Sequence, residues 1–190
     1  VLIGENRNQT FNIYRGNGSN GKSLLTELME LVLGEYFGHV PITLVTEKRV
    51  SIGGTSSEIM QLKGVRYALM QEPSVDMKIN EGMMKQLTGD SKLQGRALYA
   101  DTETFKNQFN LVVCTNNLFE VGSNDDGTWR RIRIVEFMSK FVNDDDPVLE
   151  ETPFQFKKDP NLSEKLSSWA PIFLSMLVHR VYKTEGIVEN

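Results

Sequence analysis

The chain has one cysteine, Cys114, and two histidines, His39 and His179. A single thiol excludes a framework of intrachain disulfides. Neither histidine has a Cys or His partner at metal-ligand spacing, which argues against structural zinc. Cys114 sits in the apolar run Leu111-Val112-Val113-Cys114, so a buried core thiol is expected. Long hydrophobic runs are also missing. The longest, near 171–178, falls well short of the roughly 20 residues that cross a bilayer, so no membrane partner is expected. There is no signal-peptide pattern, and no excess of basic charge: 21 Lys and Arg stand against 25 Asp and Glu, a net −4. That balance argues against DNA binding by bulk electrostatics. Any nucleic-acid site must be a local cluster of cations, strengthened by presentation from several subunits. The chain opens at Val1 without a Met, so a fragment of a longer protein is expected.

With 190 residues, 39% of them hydrophobic, the chain suffices for one globular domain with its own core. Thr10–Tyr14 reads as a strand running into a Gly-rich turn. Leu24, Leu25, Leu28, Leu31 and Val32 then recur at helical spacing, closed by Gly34 or Gly38. A polar loop over 46–55 precedes a short helix at Ser56–Leu62, a buried strand at Val65–Gln71 and a helix at Asn80–Leu87. Leu93–Leu98 and Thr104–Phe109, flanking the polar Tyr99–Glu103, signal a hairpin. Asn110–Thr115 and Arg131–Phe137 read as further strands, and the acidic 143–152 as an exposed loop. Leu162–Tyr182 forms either a final helix or a helix pair, with Pro171 opening the second segment. Strands alternating with helices predict an α/β fold with a largely parallel central sheet flanked by helices.

Gly16-Asn17-Gly18-Ser19-Asn20-Gly21-Lys22-Ser23 matches G-x-x-x-x-G-K-[ST] without deviation, between a strand and a helix as the motif requires. The glycines let successive N–H groups turn toward an anion, and the helix offers its positive end. Lys22 can bridge β- and γ-phosphates, and Ser23 can ligate Mg²⁺. The loop predicts binding of ATP or GTP. Such a site needs a carboxylate at the end of a neighbouring strand. Glu72, followed by Pro73, is the acidic residue ending an apolar run in this half of the chain. It is read as the Walker B acid, Mg²⁺ contact and general base. With Gln71 before it, either Glu72 serves both roles or the metal relies on Ser23 and phosphate oxygens.

The segments that follow keep a distinctive order. Lys85-Gln86-Leu87-Thr88-Gly89-Asp90 is followed by Arg96, Leu98, Tyr99 and Phe105. Then come Cys114-Thr115-Asn116-Asn117 and Asp126-Gly127-Thr128-Trp129-Arg130-Arg131-Ile132 ahead of Phe137. Behind a P-loop this order resembles superfamily 3 helicases. Within them it resembles the branch of primase–helicases of poxvirus-like large DNA viruses and of phage and plasmid primases. The resemblance runs from about Gln9 to Phe141, with an echo over 159–183.

The resemblance implies a P-loop NTPase of AAA+-like type with a pre-sensor hairpin over Lys92–Phe109. It implies an ATP-dependent replicative DNA helicase working as a homo-oligomeric ring, a hexamer, on single-stranded DNA. An upstream primase and a helical collar usually accompany such a domain. The viral or phage replication machinery of an infected cell, in the cytoplasm, is the implied setting. Asn116 matches the sensor residue, with Asn117 second. Arg131 matches the arginine finger that completes the neighbouring subunit's ATP site, with Arg130 left to pair with Asp125 or Asp126. Lys106, Arg96 and Lys92 are the implied DNA-phosphate contacts, and Tyr99 or Phe105 the stacking aromatics. Lys85 and Asp90 would hold the helix and hairpin near the nucleotide. Two rival readings stand beside this one: a P-loop small-molecule kinase or NTPase acting without DNA, and a nucleotide-dependent assembly module.

Overall fold

The computed structural model describes residues 1–47, 55–71, 78–122, 125–147 and 153–185. The first strand, β1 (Phe11–Arg15), leads through the glycine loop into helix α1 (Lys22–Leu33). A 3-10 turn then enters the short β2 (Phe37–His39). One-turn helices α2 (Thr43–Thr46) and α3 (Ser57–Met60) precede β3 (Tyr67–Met70). Helix α4 (Glu81–Gly89) starts at Asn80, whose side chain accepts from Met83 N at 3.1 Å and so caps the first turn. Next come the hairpin strands β4 (Lys92–Arg96) and β5 (Thr102–Lys106), then β6 (Asn110–Thr115). The remainder is α5 (Asp126–Trp129), β7 (Ile132–Glu136), β8 (Lys140–Val142), β9 (Gln155–Lys157) and α6 (Leu162–Thr184).

Five strands form one sheet in the order β2-β3-β6-β1-β7, and every pairing in it is parallel. Parallel neighbours require crossovers, so the elements between them cover both faces. Successive side chains in a strand point to opposite faces, and the two cores follow that alternation. Phe11, Ile13, Ala68, Met70, Leu111 and Val113 enter one core with residues of α2, α3, α4 and the hairpin. Tyr67, Leu69 and Val112 enter the other, against Met29 and Leu33 of α1 and Phe173 and Leu177 of α6. Strand β3 is buried at all four positions, which is why its sequence is apolar without alternation.

Several expectations change in detail. The hairpin strands are shorter than predicted, because Leu98 turns outward at the tip and is 65% exposed. Of the two options for the C-terminal segment, one continuous helix is formed, with Pro171 inside it. Leu166, Ala170, Phe173 and Leu177 fall on one stripe either side of the proline, and their packing holds α6 together. That packing offsets a proline penalty of about 3 kcal/mol. Strands β2, β8 and β9 carry no periodicity that predicts them, being three residues each. Among the described residues no helix is long and apolar enough to cross a membrane.

Leu111 lies at the centre of the sheet with no exposed surface. Leu111→Ala is expected to lower the unfolding free energy by about 2–5 kcal/mol, read from urea denaturation. A loss below about 1 kcal/mol would contradict the packing described.

Candidate nucleotide site and its neighbours

Three parallel strands bring their C-terminal ends to one place. Strand β1 delivers the glycine loop, β6 delivers Thr115-Asn116-Asn117, and β3 leads into Gln71; β6 lies between the other two. Gly16 N–H donates to the Thr115 carbonyl at 3.2 Å. The Thr115 hydroxyl donates to the Asn117 carbonyl at 2.6 Å and accepts from Asn117 N at 3.1 Å, which sets the turn. A cavity of about 930 Å³ opens there, lined by the loop from Gly18 to Ser23 together with Gln71, Cys114 and Asn116. Asn116 is half-buried in its wall, while Asn117 is exposed.

The loop conformation explains its residues. Gly21 has φ +90°, a left-handed angle that favours glycine. A Cβ at Gly16 would stand 2.7 Å from the Phe137 carbonyl oxygen, so no larger residue fits without a shift. Helix α1 begins with no cap from Gly21 and no acid in its first turn; its first amide, Lys22 N, donates to Asn20 Oδ1 at 3.3 Å, and its positive end still favours an anion. Lys22 is buried, and its ammonium donates to the Gly16 carbonyl and to Asn20 Oδ1. Asn20 is buried too, and its Nδ2 meets no acceptor among the described residues. A buried ammonium, an unpartnered amide donor and the positive end of a helix form a donor set suited to a polyphosphate. Asn17, Gly18, Ser19 and Ser23 are exposed along it. For a divalent cation the described residues offer Ser23; no group of three or more His, Cys, Asp or Glu among them is placed to hold a metal ion. Glu72 lies outside the described residues, in the segment 72–77.

Cys114 is half-buried and lines the cavity, which corrects the expectation of a core thiol. Burial pushes its thiol up, against a smaller opposing effect of Lys22.

The arginine pair requires a larger correction. Arg131, expected to face outward as the finger, is 9% exposed and its donors turn into its own fold. Its Nε donates to the Thr88 hydroxyl at 3.1 Å, and its terminal nitrogens donate to the Gly127 carbonyl and to Gln9 Oε1. It therefore ties the Thr-Gly-Asp segment to the Asp-Gly-Thr segment. Adjacent side chains leave a chain in different directions, and here Arg130 is the exposed one. Arg130 donates to Gln9 Oε1 at 2.6 Å. Gln9, with φ +53° in the turn before β1, was not singled out from the sequence, since turn geometry leaves no periodic signal.

Lys85 ion-pairs with Asp125, and Asp125 in turn caps α5 by accepting from Gly127 N and Thr128 N. Helix α5 ends at the arginine pair, so Lys85 positions that corner. Asp90 has no hydrogen bond or ion pair through its side chain among the described residues.

In the hairpin, Lys92, Gln94 and Arg96 share the outer face with Thr102, Thr104 and Lys106. Lys92 stands directly opposite Lys106, a like-charge pair that disfavours the ladder and concentrates positive charge. Lys106 also reaches Glu5 Oε1 at 2.8 Å, an exposed pair of little energetic weight. Arg96 Nε donates to the Ala100 carbonyl at 2.8 Å and stiffens the turn. Phe105, opposite Leu93, is buried in the core, which corrects its candidacy as a stacking aromatic. Tyr99, at the tip, is 96% exposed.

Asp125 is held at a pKa of about 2, first by Lys85 and then by the backbone and hydroxyl donors of its cap. Its stabilising effect is present above the ordinary carboxylate value near 3.8 and is lost as pH falls through about 2. Lys85→Ala is expected to move the Asp125 midpoint up toward about 3.9, followed by carboxyl NMR. An unmoved midpoint would show that the cap alone holds the anion.

A model of a family of unknown function (DUF5906) matches residues 14–131. A "Putative helicase" of Acanthamoeba polyphaga mimivirus is 38% identical over 98% of the chain and 20% of its own length. A "Putative helicase" of Frog virus 3 is 32% identical over 87% of the chain and 18% of its own length. A "Putative primase" of African swine fever virus is 30% identical over 78% of the chain and 15% of its own length. The chain thus spans about a fifth or less of these relatives. An apo structure of the NrS-1 C-terminal region superposes with TM-score 0.63 at 19% identity, covering 90% of the chain and 36% of that structure, so the fold is shared. The family match spans the glycine loop, the Thr-Asn-Asn turn and the arginine pair, and the chain belongs to this DUF5906 family, with relatives named as helicases and primases in large DNA viruses.

Proposed function

We propose that the chain is the ATP-hydrolysing motor segment of a viral replication helicase–primase, acting as a ring on single-stranded DNA. The observation that carries this reading is the cavity in which the Gly18–Ser23 stretch of the glycine loop, Gln71 and Asn116 meet at the ends of three parallel strands. The position of β6 between β1 and β3 favours a P-loop NTPase of AAA+-like type and the superfamily 3 branch, because it sets a sensor beside the loop. The relatives' names support the replication setting.

In this reading the triphosphate lies along Gly16–Ser23 and Lys22 neutralises its β- and γ-oxygens. Asn116 orients the attacking water, and Glu72 takes its proton. Mg²⁺, held by Ser23 and Glu72, would supply neutralisation of the phosphate charge. Arg130, exposed at the end of α5, reaches the site of the next protomer, while Arg131 holds the corner from which it projects. Lys92, Arg96 and Lys106 contact the DNA backbone without reading bases, as a cationic hairpin face does.

The test is ATPase activity as a function of protein concentration, with and without single-stranded DNA. Turnover is expected to rise cooperatively with concentration, to be stimulated by DNA and to vanish in Lys22→Ala. Lys92→Ala/Lys106→Ala should keep basal turnover and lose the stimulation. Turnover indifferent to DNA and to concentration would favour a small-molecule NTPase instead.

The two arginines should separate cleanly. Arg130→Ala is expected to lower turnover by about 10³-fold or more while ATP binding persists. Mixed rings of Arg130→Ala and Lys22→Ala subunits should recover part of it. Arg131→Ala should instead cost about 1–3 kcal/mol of stability, seen in denaturation. Recovery with Arg131→Ala and none with Arg130→Ala would reverse the assignment.

A further inference from the structure

The cavity is larger than the phosphate loop alone accounts for, and its remaining wall is assigned to nothing above. Besides residues of α1 and β2 such as Glu27 and His39, that wall is built by β8, β9 and the start of α6, where Phe141, Lys157, Lys158, Asp159 and Pro160 line it. The segment after β7 runs along the glycine loop. The Phe137 carbonyl abuts Gly16, Phe141 N donates to the Ser19 carbonyl at 2.7 Å, and a Cβ at Gly21 would stand 3.7 Å from the Phe141 ring. The Phe141 ring is therefore held at the loop's end, where α1 begins. It is braced from behind by Phe156, with ring centroids 5.9 Å apart.

We infer that Phe141 is the stacking platform for the base of the bound nucleoside triphosphate, and that the β8–β9 wall accepts a flat base without reading its edge. The inference rests on the phosphate-loop reading. Asn116 and Gln71 mark one end of the loop, on the β6 and β3 side, as the γ-phosphate end. The sugar and base must then leave toward the other side of β1, where β7 leads into β8. On that side the Lys157 and Asp159 side chains are already engaged. The Lys157 ammonium donates to the carbonyls of Asn143, Asp144 and Asp146. Both Asp159 oxygens are taken, one by Lys165 and one by Asn161 N. The Lys158 backbone N–H donates to the Val142 carbonyl at 2.8 Å, which ties the end of β9 to β8. Between them stands an aromatic face, which attracts any base through its π surface and discriminates little between purines.

Binding of ATP, GTP and inorganic tripolyphosphate to the chain, measured by calorimetry, tests this, because tripolyphosphate occupies the loop without a base. ATP and GTP are expected to bind within about fivefold of each other. Phe141→Ala should weaken both by about tenfold and leave tripolyphosphate unchanged, and Phe141→Trp should restore both nucleotides. Equal weakening of ATP and tripolyphosphate in Phe141→Ala would show that Phe141 only shapes the loop, and would overturn the inference. So would unaltered ATP binding, or a preference of about 100-fold or more for one purine, which needs a hydrogen-bonded edge. Absence of both ATP and tripolyphosphate binding in the unaltered chain would overturn the phosphate-loop reading itself.

Discussion

The bond from Gly16 N–H to the Thr115 carbonyl joins the first residue of the glycine loop to the last residue of the neighbouring strand. It continues the parallel ladder of β1 and β6 by one rung past their ends. Everything proposed for the site depends on that rung. It fixes the distance between the loop and the turn carrying Asn116, and it does so with backbone groups, which substitution of side chains leaves in place. On the β6 side the rung is anchored by a buried residue, since Thr115 is 2% exposed and β6 is paired on both edges.

A second layer of order comes from one buried guanidinium. Arg131 gathers Thr88, Gly127 and Gln9, which belong to three segments far apart in the chain. A buried charge is costly unless its donors are satisfied, and here three of them find oxygen acceptors. The consequence is that α5 is locked, by Arg131 from inside and by Lys85 through Asp125 from outside. Arg130, one residue earlier, projects from that locked corner. In the proposed ring, an arginine that acts on another protomer must be exposed but well aimed, and these two adjacent arginines would divide those demands.

The hairpin shows the same economy of sequence. Leu93 and Phe105 seat it in the core, so its backbone is anchored, and the alternate positions place Lys92 opposite Lys106 on the outer face. In a chain of net charge −4 this local concentration of cations stands out more than total charge does. Glu5 tempers it from one side, through an exposed pair that a stronger anion can displace.

The glycine loop, the helix after it, the buried strands of the sheet and the existence of the hairpin were legible in the residues themselves. Each rests on local rules: a motif whose glycines serve backbone angles, periods of two and 3.6, and apolar runs that only a doubly covered sheet can bury. The orientation of Arg131 was not legible, because whether a side chain at a strand entrance turns in or out depends on partners 43 and 122 residues away. The same holds for Phe105, buried by its cross-strand position, and for Cys114, whose run is apolar although its side chain borders a cavity. Pro171 looked like a boundary, yet long-range packing against α1 carries the helix through it. Local sequence thus determined which backbone forms arise and what chemistry the loop can do. Tertiary contact alone decided which arginine is presented, which aromatic faces solvent and which wall completes the cavity, since each is a competition between partners that meet only after the chain has folded.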